Sequence, residues 1–235
     1  MKIILEKKPQ NPIIIEGFPG FGLVSTIACE FLIDHLKTEQ IGRIIFDDMP
    51  AVVAIHENKL VQPLGIFYNK EKNIVILHAV TASSGYEWKL ADILIELATN
   101  MKAKEILCLE SVNSAEASKA RKFYYSTSES SKKALEKIGL EPLKEGIIMG
   151  VTGALLLREK QLPISCIFAE TSSNLPDSKA AASIIETLDK YLGLKVDYAP
   201  LIQKAERFED KLKTILSKSQ EAQEISEKKK MSYVG

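Results

Sequence analysis

Two glycine-rich turns carry the patterns with the clearest chemical potential. Gly17, Phe18, Pro19, Gly20, Phe21 and Gly22 follow the apolar run 13–15 and precede an amphipathic segment. A turn of this kind can aim backbone N–H groups and the positive end of a helix at a phosphate. Its order, Gly-x-x-Gly-x-Gly, is not that of the dinucleotide fingerprint, and no Gly-Lys-Ser/Thr follows as in a P-loop. Asp47 and Asp48 come about thirty residues after Gly17, later than the ~20 expected of a ribose-binding acid. The residues favour a turn that closes tightly and lets Phe18 and Phe21 pack or reach a partner.

Other polar residues fall just after apolar strands, where open α/β sheets place their ligands. Ser83, Ser84 and Gly85 follow the run that ends near His78, Glu110 and Ser111 follow the next strand, and Glu170 follows the last. Gathered round one crevice they would suit a hydrolase. Ser84 nevertheless lacks the Gly-x-Ser-x-Gly elbow, and no motif pairs it with a base. Short polar residues after strands are also ordinary turn chemistry. Thr152, between Gly150 and Gly153, reads as a helix N-cap rather than a ligand-holding hydroxyl. His35, His56 and His78 are scattered without ligand spacing. No catalytic residue is assigned, and neither a metal site nor a cofactor is expected. A nucleotide- or nucleoside-binding enzyme of phosphorylase- or hydrolase-like type, using the turn 17–22, stands as the alternative.

The elements that must position these residues alternate strand and helix. Strands are expected at 13–15, 41–46, 52–56, 65–68, 74–80, 106–109, 122–126, 147–149 and 164–169, with a hairpin turn around 69–73. Helices are expected at 23–36, 86–101, 128–138, 154–159 and 178–192. In the second of these Leu90, Leu94, Leu97 and Met101 make one apolar stripe. Continuous apolar strands between helices predict an α/β fold, with a mostly parallel or mixed sheet covered on both faces. No repeat or linker divides residues 1–200, which read as a single domain. Leu201, Ala205, Phe208, Leu212 and Ile215 form the seam of an amphipathic helix over 201–216. Residues 217–235 read as a polar extension and tail carrying a small apolar cluster.

Composition narrows the partners. The 235 residues hold 31 Lys plus Arg and 31 Asp plus Glu. Without a basic excess there is little electrostatic pull toward nucleic acid or an anionic membrane surface. Lys228, Lys229 and Lys230 sit beside Glu221, Glu224 and Glu227, a mixed solvated face. Cys29, Cys108 and Cys166 lie in apolar runs without C-x-x-C spacing, which suggests a reducing compartment. No apolar stretch reaches the ~18 residues of a membrane span, and the N-terminal apolar segment is too short for a secretory signal. A cytoplasmic address is expected.

Several of these pieces are similar, in order and spacing, to a known family. They are the stretch from Gly17 through Gly22 to Leu23 and Val24, then Pro50, then Gly85 with Tyr86. The stretch from Gly150 to Leu156, Glu170, Leu175 to Asp177, Ala180 with Ala181, Leu192 with Gly193, and Val196 with Asp197 complete the set. Over roughly residues 13–205 the chain resembles the proteasome assembly chaperone family of the second type. The resemblance implies a phosphorylase-like core without that superfold's catalytic function. It also implies a cytosolic homo-oligomer, a tetramer or a pentamer, that assists assembly of proteasome subunits, most readily of the α type. In some archaeal members a tail ending in hydrophobic-tyrosine-any residue docks between proteasome α subunits. The matching segment is Met231, Tyr233, Val234 and Gly235, with tyrosine third from the end rather than second. Tethered ends of this kind are read by pockets on a partner.

Overall fold

Isoleucine- and valine-rich runs favour pleated, half-buried strands, and they build the centre of a mixed sheet. The computed structural model describes residues 2–46, 53–56, 58–79, 85–113, 121–158, 161–171, 175–197 and 200. The described strands are β1 (Lys2–Leu5), β2 (Ile13–Gly17), β3 (Glu39–Ile45), β4 (Ala54–His56), β5 (Lys59–Val61), β6 (Leu64–Asn69), β7 (Ile74–Ala79), β8 (Glu105–Asn113), β9 (Lys122–Ser126), β10 (Glu141–Pro142) and β11 (Ile164–Thr171). The helices are α1 (Val24–His35), α2 (Glu87–Met101), α3 (Glu129–Lys137), α4 (Gly150–Arg158) and α5 (Ser178–Leu192).

Nine strands form one sheet in the order β1-β3-β6-β7-β2-β8-β11-β9-β10, and β4 pairs with β5 separately. The central block β7-β2-β8-β11 is parallel, while β1, β3 and β6 on one flank and β9 on the other pair antiparallel. Side chains alternate between faces with a period of two. Ile15, Leu107 and Ile167 thus meet α1 and α5, while Ile14, Ile106 and Cys166 meet α2 and α4. The expected α/β architecture with both faces covered is the one observed. Cys29, Cys108 and Cys166 are buried, free thiols. Among the described residues no helix is long and apolar enough to cross a membrane.

Two local expectations are corrected. Residues 147–149 form no strand: Ile147 is 90% exposed and Met149 66% exposed, in a segment leading into α4. A three-residue apolar run has no period to separate a buried strand from a displayed loop. The strand expected at 106–109 runs on to Asn113, because β11 pairs with it through Asn113 and supplies backbone partners to its polar end. Three short strands, β1, β5 and β10, are additions that sequence reading missed. The amphipathic helix over 201–216 and the segment 217–235 lie outside the described residues.

Candidate functional site

The same alternation that builds the core puts two acids on one face. Glu16 follows Ile14 in phase on β2, and Glu110 follows Ile106 and Cys108 in phase on β8. Glu16 is opposite Cys108 across the ladder. That face is covered by α4, whose Thr152 is fully buried and points back at both acids. Thr152 was expected as an N-cap. It lies instead inside α4, with its Oγ1 at 2.8 Å from Glu16 Oε1 and 2.5 Å from Glu110 Oε1.

A threonine hydroxyl has one proton to donate. Standing between two carboxyl oxygens, it donates to one and accepts from the other, which must then carry a proton. The electrostatics agree. Burial pushes the Glu16 carboxyl up to about 7, against hydrogen bonds from Thr152, Cys108 and the Phe18 N–H that favour its charge. Glu110 is pushed up to about 8 by burial and then by the charge of Glu16. Burial likewise raises the Cys29 and Cys108 thiols, with the Glu16 charge adding to both, so neither is an activated nucleophile.

The glycine turn sits beside this pair. At Gly17 a Cβ would run into Cys29 Sγ and come within 2.8 Å of the Ser25 carbonyl oxygen, so glycine lets β2 lie against α1. Gly22 has φ +62°, and a Cβ there would stand 2.9 Å from Thr171 Oγ1. Gly20 is different: its neighbours at the mouth are Ser111 Oγ at 3.9 Å and Glu110 Oε2 at 4.0 Å, ordinary contacts for a Cβ. The turn's carbonyls accept from the protein itself. Ser25 Oγ donates to Phe18 O, Ser111 Oγ to Phe21 O, Leu23 N to Gly20 O and Asp177 N to Gly22 O. Phe18 is buried in the core on the α2 and α4 side, whereas Phe21 is 41% exposed.

The remaining sequence candidates disperse. Glu170 is buried and gripped by the Arg121 fork, with Nη2 at 3.0 Å from Oε1 and Nε at 3.3 Å from Oε2. That pair ties β11 to the start of β9 rather than joining the acid pair. His78 is buried beside Gly17 across the ladder, with Nε2 at 3.4 Å from Glu30 Oε2. Asp47, Asp48, Ser83, Ser84, Met231, Tyr233, Val234 and Gly235 lie outside the described residues. Among those described, no group of three or more His, Cys, Asp and Glu is arranged to hold a metal ion. Sequence reading named Glu110 and Ser111 but missed Glu16. The available signal was a lone acid ending an isoleucine strand, in phase with a core residue.

Chemically, two acids sharing a proton resemble a general acid–base pair. Here the protein's own Thr152 hydroxyl lies between them.

Comparison with known proteins places the chain in a group. A family model, the PAC2 family, matches residues 14–216. PbaA of Pyrococcus furiosus, described as an archaeal homolog of proteasome-assembly chaperone, is 30% identical. The match covers 94% of this chain and 98% of PbaA with a TM-score of 0.84. PbaB of the same organism, described as an archaeal proteasome activator, is 23% identical over 91% of this chain and 98% of its own, with a TM-score of 0.74, a likeness of fold. An uncharacterized protein of Methanocaldococcus jannaschii is 27% identical over 228 residues, 96% of this chain and 94% of that protein.

Proposed function

The chain belongs to the PAC2 family, and we propose on that premise that it is a non-enzymatic, cytoplasmic proteasome-assembly chaperone-like protein. It self-associates and binds proteasome subunits, α type first, in part through residues 231–235. The observation that carries this reading is the likeness to PbaA along nearly the whole of both chains. Two features of the structure support it. At the ends of β2 and β8, Thr152 bonds both acids and Ser111 bonds a carbonyl of the glycine turn, so these polar groups are engaged within the protein. Large apolar side chains stand out on and beside α2 and α4: Trp88 is 49%, Ile147 90%, Met149 66% and Leu157 70% exposed. Exposed apolar groups of this size are what protein contact surfaces offer. The test is co-purification: full-length protein is expected to retain proteasome α subunits, and removal of residues 231–235 to weaken that retention. Failure of the full-length chain to bind them counts against the reading.

The two proton-sharing acids give one specific reason to keep the second reading, a nucleotide- or nucleoside-binding enzyme, because perturbed acids gather at active sites. Thermal unfolding across a panel of nucleotides and nucleosides separates the two. A ligand at 100 times its Kd would stabilise by about 2.7 kcal/mol, which for a chain of this size is a rise of several degrees. The contact reading expects no such rise.

A further inference from the structure

We propose that a proton shared by Glu16 and Glu110 through the Thr152 hydroxyl latches the first turn of α4 onto the ends of β2 and β8, and that loss of this proton releases it. The inference is independent of which protein is the partner.

Three elements distant in sequence meet at a single hydroxyl: β2 through Glu16, β8 through Glu110, and α4 through Thr152. Among the described residues, the Cys166 thiol on β11 bonds Cys108 on the same face, and other groups lie closer to the pair. They are the Cys108 thiol on β8, the Phe18 N–H after β2, the Cys29 thiol on α1, and Ser111 with Gly20 at the mouth. None is cationic. With one proton present, the hydroxyl bridges a neutral acid and a carboxylate, and all three groups are satisfied. With none, two carboxylates face one donor, and no cation among the described residues offsets the repulsion. Val151, Ala154 and Leu155 hold the rest of α4 in the core, so relief takes the form of a loosening of its first turn, where the Thr152 hydroxyl meets the two acids. That helix and the segment before it display Ile147, Met149 and Leu157. A loosened α4 therefore alters an apolar surface, and the latch couples that surface to pH.

The direction follows from linkage. Once α4 is open, the acids ionise near their ordinary value of 4.5; when it is closed they hold a proton to higher pH. The closed form is thus favoured fully below about 4.5 and loses that preference as pH rises toward 8. Each pH unit in between weakens it by up to about tenfold per proton.

Amide hydrogen exchange on the full chain tests this, reading protection of residues 151–156 in α4 against α5 on the opposite face, corrected for intrinsic rates. The α4-to-α5 protection ratio is expected to fall about tenfold or more from pH 5 to pH 8. The double variant Glu16→Gln, Glu110→Gln is expected to flatten it, and Thr152→Val to lower it at pH 5 where Thr152→Ser does not. Infrared spectra should show a protonated buried carboxyl at pH 7 in the wild type. A flat ratio in the wild type, an equal fall in the double variant, or no protonated carboxyl at pH 7 would each overturn the latch. The wild-type measurements decide even if a variant does not fold.

Discussion

Gly17→Ala is expected to cost about 3 kcal/mol of stability, read as a shift of the urea midpoint at unchanged slope. The added methyl group would press on Cys29 Sγ and sit 2.8 Å from the carbonyl oxygen of Ser25. The first neighbour is a buried side chain with nowhere to turn, and the second is backbone of α1. Relief requires α1 to lift from β2, which opens the core formed by Ile15, Ile27, Leu32 and α5. Against a typical total of 5–15 kcal/mol, that is a large fraction. Gly20→Ala, three residues on in the same turn, should cost less than about 1 kcal/mol, because its nearest neighbours are at ordinary contact distance. Equal costs at the two positions would show that packing is not what glycine serves here.

Stability should fall as pH rises from 5 to 8, the reverse of ordinary acid denaturation. Both acids are raised above 4.5 in the folded protein, to about 7 and about 8, so the folded chain holds two protons in the lower part of this window, and one in the upper part, that the unfolded chain has already released. The slope of unfolding free energy with pH is then negative, up to about 1.4 kcal/mol per unit for each proton retained. Glu186 and Glu129 are lowered by their lysine partners, so their effect has the opposite sign and falls below pH 4.5, outside the window. Denaturant unfolding at pH 5, 6, 7 and 8 measures this. Glu16→Gln with Glu110→Gln should flatten the curve and leave the variant more stable than wild type at pH 8. A wild-type curve that is flat or rises through this range would contradict the shared proton.

What was legible in the sequence is what repeats locally. The stripe Leu90, Leu94, Leu97 and Met101 fixes the buried face of α2, and all four are buried. The bounds of α5 could be read because its ends carry local signals: Asp177 accepts from the Ala180 N–H, and Gly193 adopts φ +63°. Where no period exists, reading failed, as at 147–149. The site was legible only by halves. Glu110 follows an apolar strand and draws notice, but its partners do not: Thr152 is 42 residues from Glu110 and 136 from Glu16. Only the crossing of chain segments in the sheet brings them together, and no spacing rule encodes that. Gly17 and Gly22 were noticed as a turn, yet their reasons, a neighbouring thiol and a neighbouring hydroxyl, belong to residues elsewhere in the chain.

The proposed role is contact with other subunits rather than turnover of a small molecule. Native mass measurement of the full-length chain mixed with archaeal proteasome α subunits tests it most directly. A species containing both chains is predicted, with its abundance reduced when residues 231–235 are removed. Two chains that stay separate at every mixing ratio would contradict it.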